Sequence, residues 1–374
     1  MEFCTEEGAE VSRFLLVGST SAYSGKSAAV LGIATYLQQQ GFQVGYGKPI
    51  GGCMQGDCAR DGSDPDVSFI VESLRIQPEH RLPMLLRLDD DTIRTYLQQS
   101  EPADFHARFQ SYQAKAQSAD LTLLEGPGDL YEGELFELSL GQMAEQLEAS
   151  VLLIVRYDSH LALDAVLAAG QRLGNRLAGV LLNDVPEELE ADVREEIAPF
   201  LEKRAIAVLG ILPTHRTLRS ISVAELVHQL KADVLCCSDR LDLLVEEFTI
   251  GAMNVNSALK YFRKSEHKAV ITGGDRTDIQ LAALETSTHC LILTGQIPPT
   301  ELIRARAEEL EVPILTVDLD TLTTVERIER VFGQVRLHEA VKVRCIEDLI
   351  ARHFDFARLY TALGISPLAS LRSA

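Results

Sequence analysis

Phe14-Leu15-Leu16-Val17-Gly18-Ser19-Thr20-Ser21-Ala22-Tyr23-Ser24-Gly25-Lys26-Ser27 runs from an apolar stretch into a loop of small residues that closes on Gly-Lys-Ser. The residues that follow, Ala28-Ala29-Val30-Leu31-Gly32-Ile33-Ala34-Thr35-Tyr36-Leu37, read as a helix. Strand, loop and helix in that order build a phosphate cradle. Loop N–H groups and the helix N-terminus face the anion, Lys26 reaches the outer phosphates, and the Ser27 hydroxyl ligates Mg²⁺. Thr20, Ser24 and Gly25 line the same loop, although the pattern G-x-x-x-x-G-K-[ST] asks for glycine where Thr20 stands. The alternative is a small-residue turn with a solvated Lys26 at a helix start. The flanking strand and helix favour the cradle, and with it a bound nucleotide.

The remaining composition is that of an ordinary globular chain. Its 374 residues, 46% hydrophobic and 24% charged, are enough for roughly two to three domains with sizeable cores. A net charge of −20 lacks the basic stripe that a nucleic-acid backbone or an anionic membrane surface requires. No apolar run approaches a membrane span, and the start Met1-Glu2-Phe3-Cys4-Thr5-Glu6-Glu7 is not a signal peptide, so a cytoplasmic location is expected. Seven cysteines are scattered, among them Cys53, Cys58 and the adjacent Cys236-Cys237. Without Cys-x-x-Cys pairs or nearby histidines they read as free, mostly buried thiols.

Short apolar runs recur between helical stretches at Phe14–Val17, Val44–Tyr46, Leu121–Leu124, Val151–Val155, Gly179–Leu182 and Val208–Leu212. Near-continuous apolar strands alternating with helices predict a parallel sheet covered on both faces. Ligands in such sheets bind beyond the carboxyl ends of the strands, which here carry Lys48, Glu125, Asn183 and Pro213. A second series, Val234–Cys237, Ala269–Thr272, Cys290–Thr294 and Pro313–Val317, predicts a smaller α/β unit. From Glu339 the chain reads as a helical tail.

Glu125 ends an apolar strand and precedes Gly126-Pro127-Gly128, the place from which a second Mg²⁺ ligand would come, or else a turn acid. Lys48, in Gly45-Tyr46-Gly47-Lys48-Pro49, would neutralise phosphoryl charge or hold an anionic substrate, or be a surface lysine in a tight turn. Asp64 and Asp66 open a helix; either caps it or completes a Mg²⁺ shell, with Asp66 the first choice. Asp275-Arg276-Thr277-Asp278 follows a strand and Gly273-Gly274. It suits an anion or nucleotide pocket, and equally a capped turn with an internal ion pair.

Taken in order, these residues resemble the dethiobiotin-synthetase-like P-loop domain at the N-terminus of long phosphotransacetylases, which is followed there by a DRTGG domain. The first resemblance covers residues 12–222 and rests on Ser19-Thr20 with Gly25-Lys26-Ser27, Lys48-Pro49-Ile50, Asp66-Val67-x-Phe69, Glu125-Gly126-Pro127, Gly179–Asn183 and Gly210–Pro213. The second covers residues 223–335, through Phe248–Met253 and Ile271–Ile279, leaving residues 1–11 and 336–374 as tails. The resemblance implies a P-loop NTPase fold with a smaller DRTGG-like α/β domain, and ATP and Mg²⁺ as cofactors. It implies that Lys26 and Ser27 hold phosphate and metal, that Glu125 and Asp66 complete the metal site, and that Asn183 reads the adenine edge. Lys48 would face the substrate, with Lys26 and Lys48 as the catalytic cations and Pro213 among the nucleotide-binding residues.

Two departures count. Dethiobiotin synthetases carry Ser four residues after the lysine of the Lys-Pro turn, where this chain has Gly52, and they lack the second domain. A transacetylase catalytic domain does not fit after Leu337, so acetyl transfer is not expected. The expectation is an ATP-binding, nucleotide-sensing regulatory protein, acting as a homo-oligomer or through a protein partner. The alternative is a Mg²⁺-ATP-dependent ligase or ATPase that phosphorylates a small carboxylate or carbamate.

Overall fold

The structure, a computed structural model, describes residues 14–52, 64–98, 105–116, 118–332, 337 and 339–366. The expected N-terminal tail and Cys4, Cys53 and Cys58 lie outside the described residues. The chain folds into two units, one built from residues 1–214 and 337–374 and the other from 215–336.

In the first unit the strands are β1 (Phe14–Ser19), β2 (Val44–Gly47), β3 (Ile50–Gly52), β4 (Arg81–Leu82), β5 (Leu86–Leu88), β6 (Leu121–Glu125), β7 (Ser150–Arg156), β8 (Leu177–Val185) and β9 (Val208–Pro213). Seven of them form one sheet in the order β4-β2-β6-β1-β7-β8-β9, and every pairing in it is parallel. The residues of β1 and β6 are buried throughout, as are the central five of β7, which explains their apolar composition. Strand β1 lies in mid-sheet, and β6 and β2 stand beside it in turn. The carboxyl ends carrying Glu125 and Lys48 therefore fall on one side of the phosphate loop, and those carrying Asn183 and Pro213 on the other.

Helix Lys26–Gln39 is apolar around most of its circumference, with Ala29, Val30, Leu31, Gly32, Ile33, Ala34 and Leu37 buried. Such a helix needs cover on its outer side as well as the sheet beneath it. Helix Ala340–His353 supplies that cover. A Cβ on Gly32 would stand 2.7 Å from Ile350 Cγ1, so glycine sets how closely the two helices approach. Helix Phe356–Leu363 continues the cover, stacking Phe356 on Tyr36 at a centroid distance of 3.6 Å. Arg358 holds both carboxylate oxygens of Glu202, at 2.7 and 2.9 Å, and donates to the Val208 carbonyl. Asp355 N–H donates to the Leu209 carbonyl and Phe354 bridges Gly210, shielding part of the edge strand β9. The segment that reads as a tail is thus a packed part of the first unit.

The second unit carries β10 (Ile221–Ser222), β11 (Asp233–Cys236), β12 (Leu244–Val245), β13 (Glu247–Ile250), β14 (Lys268–Gly273), β15 (Thr288–Thr294) and β16 (Ile314–Val317). Its five-stranded sheet runs β11-β16-β15-β14-β13, with β11 antiparallel to β16 and the other pairs parallel. The unit includes residues from His215 onward, and β10 pairs with β12 within it. Two apolar cores cover the faces of the sheet. Lys268 is fully buried and donates to the Ser265 and Ser287 carbonyls at 2.9 Å each, and burial lowers its ammonium pKa. Among the described cysteines, Cys236 and Cys290 are buried, Cys237 and Cys345 partly so, and all four are free thiols.

Candidate functional site

The loop between β1 and helix Lys26–Gln39 turns into the helix at Gly25, whose φ of 94° is left-handed. A side chain there would also have to displace Asn183 Nδ2, 2.3 Å from an added Cβ. The helix start has neither a side-chain cap nor an acid in its first turn. Its positive end is thus left for an external anion, the arrangement of a phosphate-binding helix. Thr20 N–H extends the pairing of β1 by donating to Ile154 O at 3.3 Å, and Ser24 is buried with its hydroxyl against Ser21.

Lys26 is 9% exposed and folds back over the loop. Its ammonium donates to Ser19 Oγ at 2.8 Å and to Gly128 O at 3.3 Å. Burial lowers its pKa, against the opposing pull of Glu125 and Glu132. The Gly128 loop is braced in turn, since Gly128 N–H donates to Glu132 Oε2 at 2.6 Å.

Beside it, Ser27 Oγ donates to Glu125 Oε1 at 2.8 Å, and Tyr46 Oη donates to Glu125 Oε2 at 3.2 Å. Both Glu125 and Tyr46 are almost wholly buried, and burial, reinforced by Glu125, raises the Tyr46 pKa well above its usual value. Lys48 pairs with Asp64 Oδ2 at 2.6 Å and lies 3.9 Å from Glu125 Oε1. Burial alone would lower the Lys48 pKa, but Glu125 and Asp64 overcome it and hold the ammonium firmly charged. Asp64 also caps helix Pro65–Ser73, accepting from Asp66 N–H through its other oxygen. Asp66 sits in the first turn of that helix, and its charge is felt by Lys48 and Tyr46.

On the far side of the loop, Asn183 Nδ2 donates to Ser24 O at 2.8 Å, tying β8 to the loop. Pro213 ends the neighbouring β9, in register with Val185. Lys26, Ser27, Lys48, Glu125 and Asn183 therefore gather around one loop. The fold adds Tyr46, Glu132 and the Gly128 carbonyl, which the sequence reading did not single out. Tyr46 had a signal: it stands two residues before Lys48 in an extended stretch, so both side chains leave the same side. Asp64 makes a direct contact with Lys48.

The donor set fits a Mg²⁺–nucleotide. Magnesium takes a hydroxyl, one or two carboxylates, phosphate oxygens and water, and Ser27 and Glu125 present the first two together. Among the described residues no three His, Cys, Asp or Glu side chains gather into an all-protein metal cage.

In the second unit Arg276 Nε and Nη2 engage both oxygens of Asp278, at 3.1 and 3.2 Å, and Nη2 also donates to Met253 O at 2.9 Å. Asp278 raises the pKa of Arg276, and the guanidinium lowers that of Asp278. Asp275 is exposed, and Thr277 opens helix Thr277–Leu284. The turn is thus internally paired. Gln280 tightens it by donating to the Gly273 and Gly274 carbonyls at 3.0 Å each.

Comparison with known proteins matches the family described as AAA domain to residues 13–222 and the DRTGG domain family to residues 225–331. A phosphate acetyltransferase of Synechocystis sp. is 26% identical over 383 residues, covering 94% of this chain and 53% of that protein. One of Nitratidesulfovibrio vulgaris is 26% identical over 376 residues, covering 94% and 52%. The chain spans about half the length of these curated relatives. A solved structure of the CBS and DRTGG domains of a Clostridium perfringens pyrophosphatase regulatory region, complexed with the activator diadenosine tetraphosphate, is 19% identical. It covers 40% of this chain and 71% of its own, with a TM-score of 0.27. Among the described residues no helix is long and apolar enough to cross a membrane.

Proposed function

The chain belongs to the AAA domain family over residues 13–222 and carries a DRTGG domain over residues 225–331, and on that premise we propose that it is a nucleotide-sensing regulatory protein that binds Mg²⁺-ATP. One observation carries the reading: the loop ahead of helix Lys26–Gln39 leaves the helix start without an internal cap or acid, while Lys26 and Ser27 stand at its mouth. The residues of the loop, Thr20 through Ser27, would cradle the phosphates. Lys26 would exchange Ser19 Oγ and Gly128 O for phosphate oxygens. Asn183 and Pro213, at the ends of adjacent strands, would flank the adenine. Magnesium would supply charge neutralisation at the phosphates, held by Ser27, by Glu125 and by an acid from the start of helix Pro65–Ser73. Asp66 and Asp64, the latter sharing Lys48 with Glu125, are the two candidates for that acid.

Sensing needs a second site. Asp275, Arg276, Thr277 and Asp278 are its candidate ligand groups, available if a ligand anion replaces Asp278 on the guanidinium. Acetyl transfer and a biotin-type substrate are not part of the proposal. The ligase alternative is favoured by one feature, a second ammonium, Lys48, within 3.9 Å of Glu125. Phosphate release from Mg²⁺-ATP, alone and with small carboxylic acids, separates the two. Tight ATP binding with negligible turnover under every condition supports sensing. Acid-stimulated turnover refutes it in favour of the ligase.

A further inference from the structure

Lys48 stands where a divalent cation would be expected. Its ammonium lies between Asp64 Oδ2 and Glu125 Oε1, at 2.6 and 3.9 Å, and the three side chains are only 14%, 6% and 4% exposed. The Glu125 oxygen involved is the same one that accepts the Ser27 hydroxyl. Asp64 and Glu125 come from different elements, and two buried carboxylates brought this close would repel each other without a cation between them. Mg²⁺ seeks the same oxygens.

We infer that Lys48 is the resident counter-ion of the metal site: in the nucleotide-free protein its ammonium neutralises Asp64 and Glu125, excludes free divalent cations, and gives way when metal arrives with nucleotide. This rests on the Mg²⁺ reading proposed above and adds its regulation. The exchange leaves no buried charge unpaired. The metal takes the carboxylates, and the displaced ammonium finds the phosphate oxygens that arrived with it, as a buried ion pair requires when its partner is replaced. Nucleotide tips the balance because its phosphates add ligands for the metal that the free protein lacks. Pro49 disfavours a helical backbone at Lys48, and the four-carbon side chain supplies the movement the exchange requires.

The test is a Mn²⁺ titration of the nucleotide-free full chain, read by the electron paramagnetic resonance of free Mn²⁺. It compares wild type, Lys48→Met, Lys48→Arg and the double variant Lys48→Met/Glu125→Gln. Lys48→Met is expected to bind Mn²⁺ at least tenfold more tightly than wild type, Lys48→Arg to show no gain, and the double variant to lose it. Equal affinity in wild type and Lys48→Met, or a gain that survives Glu125→Gln, overturns the proposal. If repulsion between Asp64 and Glu125 unfolds Lys48→Met, Mn²⁺ should raise its melting temperature more than that of wild type, and a melt indifferent to Mn²⁺ is equally fatal. ADP calorimetry on wild type tests the nucleotide reading separately. A Mn²⁺ gain in a protein that does not bind ADP would support the counter-ion and refute the nucleotide site.

Discussion

Replacing Lys26 by methionine should damage nucleotide binding while barely touching the stability of the free protein. In the free protein the ammonium makes two hydrogen bonds, to Ser19 Oγ and Gly128 O, at the cost of burying a charge. Its folded pKa is below the usual 10.5, chiefly through burial. A lysine depressed in this way costs stability at any pH below both its folded and unfolded values, and the cost fades as pH rises through the folded value towards 10.5. Methionine removes that cost together with the two bonds, and Ser19 Oγ keeps its own acceptors at Ser21 O and Gly128 O. The opposing terms should leave neutral-pH stability within about 1 kcal/mol of wild type. With nucleotide bound the balance is different. A charge-assisted contact to phosphate contributes about 1.5–3 kcal/mol, so ATP affinity should fall roughly ten- to hundredfold. Calorimetry with ATP and ADP, alongside a thermal melt, measures both quantities. Unchanged ATP affinity in a folded Lys26→Met protein would refute the site. A collapse in stability would instead refute the account of Lys26 as a buried charge held for a ligand.

Glu125→Gln keeps the shape but loses the anion, so Mg²⁺ should stimulate nucleotide binding far less, while metal-free ADP binding, measured in EDTA, changes little. Asn183→Ala should narrow the preference for ATP over GTP more than it weakens triphosphate binding overall; an unaltered ratio in competition binding contradicts the adenine role. Gly32→Ala should destabilise the first unit by about 1–3 kcal/mol, despite alanine's better helix propensity, because its Cβ would meet Ile350. A gain in denaturation midpoint would mean the two helices part easily. Arg358→Ala should lower stability at neutral pH by about 1 kcal/mol or less, since the pair is partly exposed. The hydrogen bond from Arg358 depresses the Glu202 pKa below 4.5, so this stabilisation is present above that value and is lost as pH falls through the depressed one. The gap between the melts of wild type and variant should therefore narrow in acid to what the Arg358 bond to the Val208 carbonyl contributes, and a constant gap would remove Glu202 from the account.

Much of the first unit was legible because its information is local. The apolar runs at Phe14–Val17, Leu121–Leu124 and Val151–Val155 fall within β1, β6 and β7, since a strand buried on both faces can hardly contain polar residues. The short pairs β3–β5 and β10–β12 were not legible. Two or three residues carry no period, and only their partners make them strands. The edge strand β13, Glu247-Phe248-Thr249-Ile250, is half exposed and lacks the continuous apolar run of its neighbours.

The candidate site divides along the same line. Gly25, Lys26 and Ser27 could be read directly, because a phosphate loop is a contiguous turn whose backbone and side-chain chemistry is complete within a few residues. Which acid meets Lys48 could not. Asp64 and Asp66 are alike as acids at a helix start, and only the tertiary fold brings Asp64 to the ammonium. Nor could the role of residues 340–363, whose amphipathic pattern says that they cover something but not what. The sequence by itself determined the strand–loop–helix cradle and its chemistry, since those depend on neighbours along the chain. The pairing of Lys48 with Asp64, the Tyr46 bond to Glu125 and the return of the C-terminal helices onto helix Lys26–Gln39 were decided by tertiary structure alone. Each joins residues far apart in sequence, and burial makes such contacts strong only once the chain has brought them together.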